Sequence, residues 1–191
     1  LGDQGADVIK VEPPDGGDHT RAGANRRAGF SGTFLNNNRN KRSICLNLKS
    51  PRAVAAVMRL AAGADVFIEN FKVGGLARYG LADADLRPQN PRLVYLSISA
   101  FGQDGPRAAE PGYDALMQGM GGLMSLTGIA DGEPGAGPQK VGVAVADLMC
   151  GMYAVSAVLA ALHERHSSGL GQYIDLSLLD KVPGLEIVDG V

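Results

Sequence analysis

The sequence predicts an α/β fold with an open, mainly parallel sheet flanked by helices. Short apolar segments typical of strands alternate with helical patterns along the first half of the chain, which is the rhythm of strand–helix–strand units. Glycine is abundant, with 27 of 191 residues, and tryptophan is absent. This composition suits tight turns and close backbone approaches. We therefore expect parallel strands joined by right-handed crossovers.

The first half of the chain supplies the clearest elements. An apolar stretch at 8–11 predicts the first strand, and the segment 12–29, rich in Pro, Gly and Asp, predicts a loop. Alternating apolar residues over 44–48 predict a half-buried strand. Ser50 followed by Pro51 is a typical helix start, and apolar residues then recur at helical spacing.

The later elements follow the same logic. We expect a buried strand at 66–68, a short helix near 75–79 and a strand at 93–98. A turn-rich loop, a glycine-containing helix and a mobile surface loop are expected at 102–112, 113–126 and 131–140. A long apolar helix begins at Ala146-Asp147 and ends at Gly169, and a strand follows at 172–179.

Composition and charge exclude several classes of protein. Apolar residues make up 45% and charged residues 20%, so the chain is not a disordered polyelectrolyte. The formal net charge of −2 gives no support for nucleic-acid binding. No apolar run reaches about 18 residues, which argues against a membrane span. Two cysteines, Cys45 and Cys150, cannot build a disulfide framework or a four-ligand zinc site, which favours a reducing, cytoplasmic location.

Common catalytic motifs are absent from the sequence. There is no phosphate-binding P-loop, no dinucleotide fingerprint and no nucleophile elbow. His163 and His166 lie one residue short of a zinc-binding spacing, so we interpret them as a solvated helix end and expect no metal. Cys45 has no histidine nearby in sequence, and we interpret it as a small core residue.

Asp147 is the leading candidate for chemistry. It follows the apolar run 141–146 and opens an apolar helix. Backbone N–H groups and the positive end of the helix dipole favour an ionised carboxylate at such a position, and a carboxylate nucleophile needs that form. An ordinary helix-capping aspartate has the same pattern, so both interpretations stay open.

Two further groups of residues can bind a ligand. Asn70 and Phe71 directly follow a predicted strand, and open α/β sheets bind ligands at the carboxyl ends of their strands. A basic cluster can receive a phosphorylated ligand, although a solvated loop would look the same. Its members are Arg21, Arg26, Arg27, Arg39, Lys41, Arg42 and Lys49.

Taken together and in order, these segments resemble the class III CoA-transferases, the family that includes formyl-CoA transferase and the carnitine and bile-acid CoA-transferases. Any one segment alone is weak evidence for the family, whereas the whole set in this order is specific to it and covers roughly residues 1–180. The matching segments are 1–12 (LGDQGADVIKVE), Gly17-Asp18 with Thr20-Arg21, 38–44 (NRNKRSI), 64–71 (ADVFIENF), 90–98 (NPRLVYLSI), 101–106 (FGQDGP), Gly112-Tyr113-Asp114, Ala146-Asp147 and 169–175 (GLGQYID).

The resemblance implies a Rossmann-like domain and a transferase that moves CoA from an acyl-CoA to a carboxylic acid through an aspartyl-CoA thioester on Asp147. It implies no metal or redox cofactor, since coenzyme A enters as the acyl-CoA substrate. Tyr113 and Asp114 are implied to lie near the acyl group. The implied CoA contacts are Leu46, Asn47, Leu48, Lys49, Asn70, Phe71, Lys72, Arg78 and Tyr79, with Arg78 the best phosphate ligand.

The resemblance also implies a longer protein. We expect that residues 1–180 are part of a large domain whose first strand and helix precede this chain, and that a smaller domain follows it. The complete protein is expected to be an interlocked homodimer. Residues 181–191 match poorly and stay unassigned, and Pro13 and Pro111 stand where some relatives carry basic CoA contacts.

Two other functions remain open. An α-methylacyl-CoA racemase shares the fold, but Tyr113 precedes Asp114 where racemases usually show His, and a phenol with a pKa of about 10 is a poor base at neutral pH. The other is an inactive fragment that binds CoA. The donor and acceptor acids are not determined by the sequence: oxalate, succinate, carnitine and an aromatic acid all stay open.

Overall fold

A computed structural model of the chain describes residues 1–23 and 26–182. These residues form an α/β fold, as predicted, in two compact units: Leu1–Val57, and a second unit that begins at Met58. The parallel strands belong to a separate sheet in each unit. Of the unassigned tail, 183–191 lies outside the described residues, and the predicted domain limit at residue 180 stays a prediction.

The first unit contains a two-stranded parallel sheet. Strand β1 (Val8–Glu12), at the predicted place, pairs with β4 (Lys41–Cys45). A short hairpin, β2 (Arg26–Arg27) with β3 (Phe30–Ser31), and helix α1 (Gly32–Asn38) lie between them in sequence. The strand predicted at 44–48 therefore starts earlier and ends at Cys45, because its partner β1 ends at Glu12.

A buried carboxylate organises the first unit. Glu12 accepts hydrogen bonds from Arg21 Nε and Nη2, both at 2.8 Å, from Ser43 Oγ at 2.7 Å and from the Asp18 N–H at 2.8 Å. The Arg21 guanidinium holds the pKa of Glu12 well below its usual range, the hydrogen bonds from Ser43 and Asp18 lower it further, and burial opposes them. The predicted loop 12–29 is thus partly fixed, and it contains a 3₁₀ turn at His19–Ala22.

Much of the predicted basic cluster is neutralised by acidic neighbours. Besides Arg21, Arg39 pairs with Asp3, and Arg42 pairs with Asp7 at 2.6 Å. These three arginines are paired with carboxylates within their own unit, and the interpretation of the cluster as a phosphate site stays a prediction. Cys45 is exposed, so its interpretation as a core residue is wrong.

Helix α2 (Pro51–Ala62) begins where Ser50-Pro51 predicts. The Ser50 carbonyl accepts the N–H of Val54 at 3.1 Å, which closes the first turn. The buried positions are Ala53, Val57 and Ala61, one helical turn apart.

The second unit is built on the parallel sheet β5 (Val66–Glu69), β6 (Val94–Ser99) and β7 (Tyr173–Ser177), with β6 in the middle. Tyr95 of β6 stacks between aromatic rings of both neighbours. The expectation that 66–68 is buried is wrong for Ile68, which is 50% exposed. Within the described residues β5 has only one strand neighbour, and an edge strand keeps an open side.

Helices complete the second unit. The short helix predicted near 75–79 is a 3₁₀ turn at Ala77–Tyr79, followed by α3 (Asp83–Leu86). The helix predicted over 113–126 is two helices, α4 (Asp114–Met120) and α5 (Leu123–Leu126). The break falls at Gly122, whose φ of 79° lies in the left-handed region that glycine tolerates.

The long helix α6 (Val145–Ser168) ends at a left-handed Gly169, as predicted. Its buried residues recur every three or four positions, from Ala146 to Arg165, so one face packs on the core. By length and composition alone this helix is sufficient to cross a membrane, because an 18-residue window has a mean hydropathy of 1.8. The run-length argument against a span therefore fails for α6, although the core helix of a soluble protein meets the same criterion.

Candidate active site

A cavity of about 450 Å³ opens in the second unit at the carboxyl ends of β5 and β6. Its walls come from segment 70–73 after β5, from 98–100 at the end of β6, from the loop 108–113 and from the first turns of α6. Ligands of open α/β sheets bind at this edge.

Five of the predicted site residues lie on the wall of this cavity. They are Asn70, Phe71, Lys72, Tyr113 and Asp147. The sequence separates the first and last by 77 positions. The fold brings them together because Asn70 follows β5, while Asp147 opens the helix that leads into the parallel strand β7 and therefore starts at the same edge of the sheet.

Short hydrogen bonds fix the wall formed by the β5 terminus. Asn70 Nδ2 donates to the Ile98 carbonyl at 2.7 Å, which ties the loop to β6. The Phe71 N–H donates to Glu69 Oε2 at 2.7 Å, while Ser97 donates to the other oxygen of Glu69. The Asn70 side chain and the Phe71 backbone are therefore held at defined positions beside the cavity.

Asp147 is the third residue of helix α6 and not its N-cap, so the capping interpretation is wrong. The N-cap is Ala144, which has no capping side chain. The capping oxygen comes from another helix: Asp114 Oδ1 accepts the Ala146 N–H at 2.8 Å. This arrangement leaves the Asp147 carboxylate exposed on the cavity wall rather than bonded to the helix end.

The electrostatic environment of Asp147 differs from the sequence expectation. Although the residue is exposed, partial desolvation at the cavity wall raises the pKa of Asp147, and the Asp114 carboxylate raises it further. One N–H of the helix start, that of Ala146, is already bonded to Asp114 and is not available to the Asp147 carboxylate. A raised pKa makes the ionised carboxylate a stronger base and a better nucleophile.

Cys150 lies one turn after Asp147 and lines the same cavity. Its side chain is buried, and burial together with the Asp147 charge raises the pKa of its thiol to about 11. The thiol therefore stays protonated at neutral pH and provides a small neutral surface rather than a second nucleophile.

The structure separates the side chains of Tyr113 and Asp114, which the resemblance places together near the acyl group. Tyr113 is 83% exposed at the cavity, whereas Asp114 is buried against the start of α6 and does not line the cavity. The sequence analysis missed Gln118, which is fully buried and bonds to Asp114. Its only sequence signal is that two polar residues stand one turn apart in an otherwise apolar helix.

The remaining predicted CoA contacts are not among the residues that line this cavity. Arg78 and Tyr79 form the 3₁₀ turn after β5, where the guanidinium stacks 4.7 Å from the Tyr79 ring centre, and neither lines the cavity. Leu46, Asn47, Leu48 and Lys49 belong to the first unit, where the Lys49 N–H donates to Asn47 Oδ1 at 3.0 Å.

A second, smaller cavity of about 310 Å³ lies next to the same sheet edge. Glu69, Ser97 and Tyr173 line it, and Ser97 Oγ also accepts a hydrogen bond from Gln103 at 2.9 Å. Lys72 lines both cavities. Within 1–23 and 26–182, no group of three His, Cys, Asp or Glu side chains is placed to hold a metal ion.

Comparison with known proteins gives one consistent family. The profile of CoA-transferase family III matches residues 1–185. Succinate–glutarate CoA-transferase of Agrobacterium fabrum is 52% identical over 190 residues, which cover 94% of this chain and 46% of that protein. Succinyl-CoA:glutarate CoA-transferase of Mus musculus is 45% identical, with 94% and 40% covered.

Solved structures agree with these relatives. The crystal structure of a CAIB/BAIF family protein from Brucella suis superposes with a TM-score of 0.86 at 45% identity, covering 96% of this chain and 48% of that one. This chain thus spans less than half the length of each of these three proteins.

Proposed function

Because the chain belongs to CoA-transferase family III, we propose that the complete protein transfers CoA from an acyl-CoA donor to a carboxylic acid acceptor. The observation that carries this proposal is the position of Asp147. Its carboxylate lies on the wall of a cavity at the sheet edge, together with Asn70 and Tyr113.

The proposed reaction uses Asp147 as a transient carrier. Its carboxylate oxygen attacks the thioester carbonyl and expels CoA thiolate, which leaves a mixed anhydride. The thiolate then attacks the aspartyl carbonyl of the anhydride, releases the donor acid and forms an aspartyl-CoA thioester. The acceptor carboxylate attacks this thioester and expels the thiolate, which finally takes the acceptor's acyl group and restores the free carboxylate of Asp147.

The environment of Asp147 suits this sequence of steps. The raised pKa strengthens the nucleophile, and the neutral thiol of Cys150 adds no competing charge. The Lys72 ammonium, which lines the cavity, attracts the carboxylate and phosphate groups of both substrates. Binding energy from the distant part of CoA can then be used at the reacting centre.

We further propose a small dicarboxylic acid as acceptor or donor acid. The support is the names of the two relatives described above, which refer to succinate or succinyl-CoA and to glutarate. Succinyl-CoA with glutarate is therefore the first pair to assay.

The complete protein is also proposed to be a cytoplasmic homodimer. The cytoplasmic location is proposed from the two cysteines alone. The support for the dimer is the exposed apolar surface of α6, where Leu148, Met152 and Leu159 face solvent in this chain. Apolar surface of this kind is usually covered by further chain or by a second copy. Sedimentation of the complete protein tests the oligomeric state: a dimer is expected, and a monomer at micromolar concentration contradicts this part.

The activity test compares two carboxylates on the same cavity wall. Asp147→Asn is expected to abolish transfer from succinyl-CoA to glutarate, because an amide cannot form the anhydride, while CoA still binds. The control Glu110→Gln removes a charge from the same wall and is expected to retain transfer. Transfer by Asp147→Asn would overturn the mechanism, and deuterium incorporation at the acyl α-carbon would favour the racemase instead.

A further inference from the structure

A buried amide ties helix α4 to the segment that leads into the proposed nucleophile. Gln118 is fully buried. Its Nε2 donates to Asp114 Oδ2 at 2.7 Å and to the Val143 carbonyl at 3.1 Å. Its Oε1 accepts the Val141 N–H at 2.9 Å. One side chain therefore fixes two points of the segment 141–143.

Asp114 extends this connection to the residue before Asp147. One of its oxygens is held by Gln118, and the other accepts the Ala146 N–H at 2.8 Å. Ala146 is itself fully buried. Since the N-cap residue Ala144 has no capping side chain, Asp114 provides the side-chain oxygen that holds the start of α6.

We propose that Gln118 and Asp114 are positioning residues, a buried amide–carboxylate clamp that sets where the Asp147 carboxylate lies in the cavity. This inference rests on the proposed function for its catalytic consequence. Neither side chain lines the cavity, so both act on the substrate only through Asp147.

The clamp is effective because its polar groups are buried. A buried polar group that loses its hydrogen-bond partner is destabilised by its full desolvation penalty. The arrangement in which all these groups are bonded is therefore strongly favoured over any other. Removing the Gln118 amide takes away one hydrogen-bond partner from each of three groups: Asp114 Oδ2, the Val141 N–H and the Val143 carbonyl. The segment 141–143 can then shift. A displacement of about 1 Å at a nucleophile can lower the rate of the chemical step by about 100-fold.

The clamp also affects Asp147 electrostatically, through the negative charge of Asp114. The titratable and charged groups near the Asp147 carboxylate are Asp114 from α4, Cys150 from its own helix, Lys181 after β7, and Lys72, Glu110 and Tyr113 on the cavity wall. Of these, Asp114 raises the pKa of Asp147. Asp114→Asn keeps an oxygen for the Ala146 N–H and removes the charge, but its Nδ2 then faces Gln118 Nε2, so the bond to Gln118 is lost as well. Gln118→Met loses the same bond and keeps the Asp114 charge, so the comparison of the two variants isolates the electrostatic effect.

The test measures two variants in the complete protein. Gln118→Met keeps the volume but removes all three hydrogen bonds, and we expect kcat to fall at least tenfold while the KM for acyl-CoA changes less than threefold. Asp114→Asn is expected to move the acid limb of the kcat/KM profile to lower pH. The control Gln172→Met, which removes an exposed hydrogen bond to Glu164 and touches neither cavity, is expected to leave both unchanged.

A titration that is independent of activity completes the test. With ¹³C-labelled aspartate, the Asp147 carboxyl is expected to titrate at lower pH in Asp114→Asn than in the wild type, and this variant keeps the test decisive if Gln118→Met does not fold. An unmoved Asp147 titration, or unchanged kcat in a folded Gln118→Met, overturns the clamp. The titration shift without any acyl-CoA chemistry at Asp147 supports the clamp and instead refutes the proposed function.

Discussion

Among the glycines of the described residues, Gly171, where the chain enters β7, has the least room for an added methyl group, so Gly171→Ala should lower the stability of the fold strongly. A Cβ added there would lie 2.0 Å from the Leu93 carbonyl oxygen and 2.3 Å from its carbon. Both are backbone atoms at the start of β6, and real Cβ atoms essentially never come closer than 3.0 Å. In Gly171→Ala the two segments must separate by about 1 Å, since backbone cannot rotate away as a side chain does.

The size of the effect follows from the bonds that this separation breaks. The Gly171 N–H donates to the Pro91 carbonyl at 2.8 Å, and the Tyr95 N–H donates to the Gln172 carbonyl at 2.8 Å. Each hydrogen bond contributes about 1 kcal/mol, and overpacking of a filled site costs about 1–3 kcal/mol more. We expect Gly171→Ala to lower the free energy of unfolding by about 3–5 kcal/mol.

Urea unfolding of the complete protein, followed by circular dichroism, measures this loss. The control is Gly63→Ala: Gly63 also follows a helix, but nothing lies within 4 Å of its added Cβ and its φ is not left-handed. This control is expected to stay within about 0.5 kcal/mol of the wild type. If Gly171→Ala is equally stable, the close approach of β6 and the Gly171 segment is not as described.

Two further outcomes concern charge and thiol chemistry. The Arg21 guanidinium lowers the pKa of Glu12. The stability that this carboxylate contributes is therefore present above its ordinary pKa and is lost as pH falls towards the lowered value. Glu12→Gln should flatten the dependence of the free energy of unfolding on pH in acid, and an unchanged dependence would contradict this prediction. N-ethylmaleimide should label the exposed Cys45 and spare the buried Cys150, whose thiol pKa is raised to about 11; mass spectrometry of the peptides decides, and labelling of Cys150 first would be the contrary result.

Sequence patterns predicted the features that depend on local periodicity and order. The strands β1 and β6, the start of α2 and the extent of α6 follow from alternation, caps and a terminal glycine. The same reasoning anticipated that Asn70 lies at the carboxyl end of a strand, and the cavity there includes it. Order along the chain, rather than any single motif, indicated the family.

Long-range contacts could not be predicted in this way. The bond from Asp114 to the Ala146 N–H joins residues 32 positions apart, and no period in the sequence marks it. The exposure of Ile68 depends on which strands flank β5, which is a property of the sheet and not of the segment. The capping interpretation of Asp147 failed for the same reason, since a residue from another helix provides the cap.

The central claim is that the Asp147 carboxylate becomes covalently bound to CoA. Incubating the complete protein with succinyl-CoA, followed by proteolysis and mass spectrometry, tests it directly. We predict a CoA thioester on the peptide that contains Asp147, which hydroxylamine converts into a hydroxamate at that residue. Transfer of CoA to glutarate without modification of Asp147, or with the hydroxamate on another carboxylate, would contradict the account.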